Sequence, residues 1–303
     1  MEAVVFGRAD LVASIIERLR EERGLGFTPV AVCTDDAVAV VDLRAGTVLR
    51  TIGLASGSGA TGSAVVDDSI GYVANPGLNT VTRVNYLTGD TTSLVVGAHP
   101  AGAIATRGKV FVLNSNSTAG VPAGASWLSV VDPLTNRLAS GIDSILMPGP
   151  GNAMSADVAR DGVLYVMNAG PADGSTPGRL TLVDPVGRSE LGNFGGFGDS
   201  PGAIASDGGD RLFVSSTSEG LMVFDLANRR VLRGAGNGVN IPQNSGVAVD
   251  SRGRIYALEA GDCAGGASGK VHLLRADLTE SRVVPAGACA SAVAVTEIPP
   301  AAP

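Results

Sequence analysis

A short phrase recurs along this chain roughly every 40 to 55 residues: an aromatic residue, alternating apolar residues, then a polar stop. It reads Tyr72-Val73-Ala74-Asn75, Phe111-Val112-Leu113-Asn114 and Tyr165-Val166-Met167-Asn168, and weakens to Phe213-Val214-Ser215-Ser216 and Tyr256-Ala257-Leu258-Glu259. A unit of this length cannot bury its apolar faces alone. Strand repeats at this period therefore stack on their neighbours, usually as radial blades around a channel.

Each phrase is the second of four short runs rich in Val, Ile and Leu, punctuated by Gly, Pro, Asp and Asn. First strands are expected to begin near Ser63, Ala101, Met154, Ala203, Gly246 and Ala290. The last of these, Ala290–Thr296, has no successors, and three runs stand without a first strand at the other end: Val30–Cys33, Val38–Val41 and Val48–Ile52. The expectation is an all-β, six-bladed β-propeller of four-stranded antiparallel blades over residues 30–298, its last blade closed by N- and C-terminal strands. Sharing a blade removes two unpaired sheet edges. Residues 299–303 form a Pro/Ala tail.

Residues 1–29 fall outside the repeat. Ala9–Arg23 puts Leu11, Val12, Ile15, Ile16 and Leu19 on one helical stripe, with Gly24 as a stop. It reads as a short helix packed on the ring or frayed, as an oligomerisation helix, or as a start that replaces an export signal. It is not itself a secretory signal, because Glu2, Arg8 and Asp10 interrupt it.

Tyr72–Asn75, followed by Asn79-Thr80-Val81-Thr82-Arg83-Val84-Asn85 and Thr88-Gly89, resembles the YVTN-type β-propeller repeat. His99-Pro100-Ala101-Gly102-Ala103-Ile104-Ala105 and Ser200-Pro201-Gly202-Ala203-Ile204-Ala205 are similar to that repeat's Pro-x-Gly strand. The resemblance spans roughly residues 30–298 and implies the fold. It does not imply one function, because the family spans surface proteins, envelope proteins and lactonase-like or lyase-like enzymes.

The turns after first strands and between third and fourth strands are short and Asp-rich, while the long connections all emerge on the other face, where a rigid scaffold carries its binding loops. Asn75, Asn79, Asn114, Asn116, Asn168, Asp173, Asp199 and Asn244 are the candidate binding-face residues. Candidates for acid–base chemistry are few: His99, Glu259 and Asp262. His272, in mid-strand, reads as structural. A hard-cation site needs several carboxylates, and Glu259, Asp262 and Asp157 are too few, so no metal and no cofactor are expected. Gly57-Ser58-Gly59-Ala60-Thr61-Gly62 leads into a strand rather than a helix and reads as a flexible loop, not a phosphate cradle.

A net charge of −7 disfavours nucleic acid, and no apolar run is long enough to span a membrane. Cys263 and Cys289 map to one face of adjacent blades and are either bridged or two reduced thiols; a bridge implies an oxidising compartment. Cys33 has no partner in either case. The function expected is a non-enzymatic binding or surface-assembly module, extracytoplasmic, with a protein or glycan partner. The alternatives are a hydrolase or lyase for a lactone- or sugar-like substrate, and a self-assembling array or filament subunit. Reduced cysteines would place the protein in the cytoplasm.

Overall fold

A computed structural model describes residues 4–6, 29–34, 36–42, 47–293 and 295. The chain is all-β among these residues, with one helical turn, the 3-10 segment Pro76–Leu78. Six sheets of four or five strands follow one another in chain order. Sheet 1 holds Val4–Phe6, Pro29–Thr34, Ala37–Asp42 and Thr47–Gly53. Sheet 2 holds Ser63–Val65, Ile70–Asn75, Thr80–Asn85 and Thr91–Val95. Sheet 3 holds Pro100–Thr106, Lys109–Asn114 and Ser126–Asp132, with Arg137–Leu138 and Ser144–Met147 both on its outer edge. Sheet 4 holds Ala153–Val158, Leu164–Asn168, Arg179–Asp184 and Ser189–Phe194. Sheet 5 holds Pro201–Ser206, Arg211–Ser216, Gly220–Asp225 and Arg230–Arg233. Sheet 6 holds Asn244–Val249, Ile255–Glu259, Ser268–Leu274 and Glu280–Ala288.

The apolar cores lie between consecutive sheets, because both faces of each second and third strand are apolar. Tyr165, Met167, Leu180 and Leu182 of sheet 4 pack on Leu212, Val214, Met222 and Phe224 of sheet 5. Tyr165, Phe194 and Phe197 gather round the Phe224 ring at centroid distances of 6.3, 5.4 and 6.2 Å. Equivalent clusters join sheets 1 and 2, 2 and 3, 3 and 4, and 5 and 6. First strands touch in the same sequence, from Ser63–Val65 through Pro100–Thr106, Ala153–Val158 and Pro201–Ser206 to Asn244–Val249. The approach is closest at Gly62, where a Cβ would collide with Gly102 Cα and Ala101 O.

The expected four-strand order holds in sheets 2, 4, 5 and 6. In sheet 3 the fourth strand is split into Arg137–Leu138 and Ser144–Met147. Gly141 turns the chain with φ 79°, Val130 N–H donates to Asp143 O, and Ser144–Met147 takes up the pairing with Ser126–Ser129. Sheet 1 also differs from the sequence expectation. The place beside Pro29–Thr34 is taken by Val4–Phe6, in parallel, with Val5 opposite Val32. Residues 290–293 form no strand and lie on sheet 6, because Ala290 N–H donates to Ala260 O, Ser245 Oγ donates to Ala290 O, and Val293 packs on Gly246. The segment Ala9–Arg23, Thr296 and the tail 299–303 lie outside the described residues.

The Asp-rich turns cap themselves as the sequence suggests. After first strands, Asp67, Asp161, Asp207 and Asp250 accept backbone N–H groups of the following turn. Asp132, Asp184 and Asp225 do the same between third and fourth strands. Asp250 is the most heavily used: it accepts Arg252 N–H, Arg254 N–H, Arg254 Nε–H at 2.6 Å and the Tyr256 hydroxyl at 3.2 Å. Against the desolvation of its setting, these donors hold its carboxyl below the usual value. Its contribution is therefore present at neutral pH and lost as pH falls through that lowered pKa. Asp250→Ala should cost about 2 kcal/mol in urea unfolding at pH 7, and the gap to wild type should narrow near pH 3.

Candidate functional site

One unusual backbone position precedes the first strand of each of sheets 2 to 6 and the segment that follows sheet 6. Gly59, His99, Asn152, Ser200, Gln243 and Cys289 all have φ between 44° and 61°. The register is common to the repeats. Five residues beyond the first five of these, Ala64, Ile104, Asp157, Ala205 and Ala248 stand opposite Tyr72, Phe111, Tyr165, Phe213 and Tyr256. Left-handed backbone costs a non-glycine residue on the order of 1 kcal/mol and persists where surrounding bonds over-determine it. At three of them such a bond comes from the residue after the second strand: Ser115 N–H donates to His99 O, Ala169 N–H to Asn152 O, and Ala260 N–H to Gln243 O.

Three of these starts, His99, Asn152 and Ser200, line a cavity of about 680 Å³ whose wall is drawn from sheets 2 to 6 and the segment after them, through Pro76, Asn244 and Ser291 among others. Among the described residues, His99 is the one titratable side chain on that wall. Most hydroxyls and amides there are already engaged. Ser115 Oγ donates to His99 O, Ser117 Oγ to Asn152 Oδ1, Asn152 Nδ2 to Gly170 O and Ser245 Oγ to Ala290 O. Asn244 Nδ2 donates to Gly220 O at 3.2 Å, and its buried Oδ1, like those of Asn75 and Asn168, has no partner among the described residues.

The residues expected on the binding face divide. Asn75, Asn114, Asn168 and Asn244 are buried, at 0–1 % exposure. The first three bond along their own sheets: Asn75 Nδ2 donates to Thr80 and Thr82, Asn114 Nδ2 to Ser129, and Asn168 Nδ2 to Thr181. Only Asn114 also takes a loop N–H, from Gly97. The reason is the opposing third strand, whose Thr82, Ser129 and Thr181 place a hydroxyl beside each amide, and a buried amide requires such a partner. Asn79 and Asn116 are more open: Asn79 Oδ1 accepts His99 N–H, and Asn116 Nδ2 donates to Ala125 O. Asp173 and Asp199 are exposed, and the Asp173 carboxylate caps Ser175 N–H.

His99, Glu259 and Asp262 are not brought together on the cavity wall, where only His99 stands. Glu259 continues the in-sheet pattern, bonded to His272 Nε2 at 2.9 Å and Lys270 Nζ at 2.9 Å, while Glu280 holds His272 Nδ1 at 2.7 Å. His272 is thus tied within its sheet, as expected of a structural residue. Although desolvation opposes it, hydrogen bonding from His272 and Lys270 lowers the Glu259 pKa, and the Gly265 and Ala264 amides lower that of Asp262. Both shifts run away from the near-neutral pKa that acid–base work favours. Among the described residues no group of three or more His, Cys, Asp or Glu is placed to hold a metal ion. The Gly57–Gly59 loop has a partner the sequence did not suggest: Gly57 N–H, Gly59 N–H and Ser58 Oγ all donate to the Asp36 carboxylate, lowering its pKa.

Asp157 sits where the other repeats carry Ala or Ile. Its carboxylate accepts Ser206 N–H of the neighbouring first strand at 2.6 Å, and burial raises its pKa. The neutral form is favoured in the folded state, so the benefit exists below the unfolded pKa and is lost as pH rises through the raised one. Asp157→Asn keeps an acceptor for Ser206 and should raise the melting temperature at pH 7 but not near pH 3.

Cys263 and Cys289 are bridged, with Cα atoms 4.3 Å apart and both residues exposed. The bond fastens residue 289 to the loop after Ile255–Glu259 and so holds Ser291 at the cavity wall. Such bonds persist in oxidising compartments. Replacing both cysteines with serine should cost about 3 kcal/mol in chemical unfolding, given the 26-residue separation. Peptide mapping without reductant should recover the linked pair. No helix among the described residues is long and apolar enough to cross a membrane.

No family model and no curated protein matches the chain. Among solved structures, 1136 chains match, so the fold is widespread and does not by itself select a function. One of them, hydrazine synthase from Kuenenia stuttgartiensis, is 17 % identical with a TM-score of 0.63, covering 85 % of this chain and 82 % of its own. At that identity the likeness is one of fold alone.

Proposed function

We propose that the chain is a six-bladed β-propeller of the YVTN type, closed between its first and last sheets, that works as a non-enzymatic binding or surface-assembly module outside the cytoplasm. Its partner is a protein or glycan, met at the loop-bearing mouth. The observation that carries this reading is the cavity: five sheets and the segment after Cys289 converge on it, yet they bring it one titratable side chain. A rigid wall with little acid–base equipment suits holding better than turnover. The ring is supported by the chain-order stacking of first strands and by the recurrence of the left-handed start at Cys289, where a sixth unit would begin. The exposed disulfide supports the oxidising location.

Met154 lines the mouth and is half exposed, so a bulky residue there narrows the cavity without disturbing a core. On printed glycan and peptide arrays the full chain should retain ligands that Met154→Trp loses by about tenfold or more, with unchanged thermal melting. Retention of every ligand by the variant would remove the mouth from consideration. Turnover of a lactone or glycoside that is lost in His99→Ala would replace the binding reading with the hydrolase or lyase one.

A further inference from the structure

We propose that the mouth is tuned by oxidation at Met154: hydrogen peroxide converts this thioether, the one exposed among the described residues, to its sulfoxide and makes an apolar part of the cavity wall polar. The proposal rests on the binding reading above.

The repeat register singles out Met154. Two residues beyond the left-handed positions stand Thr61, Ala101, Met154, Gly202, Ser245 and Ser291, and all six line the cavity. In three sheets this residue falls in a bulge. The register skips Ala101 between Pro100 and Gly102, Met154 between Ala153 and Ser155, and Ser245 between Asn244 and Gly246. A bulged residue has no partner across the ladder, and its side chain is re-aimed. Apart from Met154, the residues at this position are Thr, Ala, Gly or Ser. A small residue therefore satisfies the fold, and sheet 4 alone carries a long thioether, 48 % exposed. Met154 belongs to neither of the apolar cores that flank sheet 4.

Exposure decides which sulfur reacts. Met147, Met167 and Met222 are 0 % exposed, inside the cores between sheets 3 and 4 and between sheets 4 and 5. Methionine oxidation requires access to the sulfur. The three buried sulfurs become accessible only when the sheets part, whereas Met154 already meets solvent. Among the described residues on the cavity wall, no other carries sulfur.

The step is a two-electron oxygen transfer. A sulfur lone pair attacks one peroxide oxygen, and the S–O bond forms as the O–O bond breaks. The departing hydroxide takes the proton left on the transferred oxygen and leaves as water. The thioether is oxidised to the sulfoxide and the peroxide is reduced. A flexible apolar side chain thereby becomes a polar hydrogen-bond acceptor. The other apolar groups beside it on the wall, among them Pro76, Pro171 and Pro201, carry no group that peroxide oxidises in this way, so the change falls on one side chain. An oxidising compartment, which the Cys263–Cys289 bridge supports, is where such an oxidant is met.

The test exposes the full chain to graded hydrogen peroxide and maps it by tandem mass spectrometry. Met147 and Met154 share the tryptic peptide Leu138–Arg160, so fragment ions compare the two sulfurs directly. Met154 should oxidise about tenfold faster, or more, than Met147, Met167 and Met222, with an unchanged melting temperature. On printed glycan and peptide arrays, the ligands that Met154→Trp loses should be weakened about fivefold or more in the oxidised chain and recovered after treatment with methionine sulfoxide reductase. Ligands held by Met154→Leu should not respond to peroxide. Oxidation of Met154 no faster than that of the buried three, or full oxidation with every mouth ligand retained, overturns the proposal and leaves the binding reading standing. A peroxide response that persists in Met154→Leu does the same. Absence of any ligand sensitive to Met154→Trp overturns both.

Discussion

Everything in this molecule depends on the apolar contact between one sheet and the next. A single four-stranded sheet here has no core of its own. Its aromatic second-strand residue and its Val- and Leu-rich third strand are buried only because a neighbour covers them, as Phe224 is covered by Tyr165, Phe194 and Phe197. Burial at roughly 25 cal/mol per Å² is thus earned jointly by adjacent units. The same stacking presses first strands together until Gly62 and Gly102 touch through their backbones.

That close approach builds the site. First strands converge, so the residues that begin them converge too, and a backbone turn repeated in each unit becomes a rim. The left-handed φ at His99, Asn152 and Ser200 is a local oddity in each repeat and a shared wall when the repeats stand side by side. Two positions depart from the repeat: Asn244 stands where other units carry Pro or Ala at the rim, and Asp157 where they carry Ala or Ile deeper along the strand.

Much of this was legible in the chain. Alternation and turn chemistry located the first, second and third strands of sheets 2 to 6 to within about three residues, because strand period and Asp-capped turns are local properties. The repeat register put Cys263 and Cys289 on one face of adjacent blades but left open whether they are joined. Three features could not be read. The left-handed starts carry no common residue type, being Gly, His, Asn, Ser, Gln and Cys, so composition does not signal them. Asn75, Asn114 and Asn168 look like rim residues because Asn is usually exposed; the clue to their burial was the hydroxyl residue on the opposing strand, at Thr82, Ser129 and Thr181. The partner of Pro29–Thr34 depends on contacts between distant chain segments, which periodicity does not encode.

The disulfide also determines how mechanical load would travel. A pull on the chain beyond Cys289 passes through sulfur to Cys263, at the exit of Ile255–Glu259, and from there into the middle of sheet 6. The two outer strands, Ser268–Leu274 and Glu280–Ala288, lie inside the covalent loop and are bypassed. Tension that would peel an open hairpin strand by strand must instead shear the paired interior of the sheet, the stiffer direction for a ladder of hydrogen bonds.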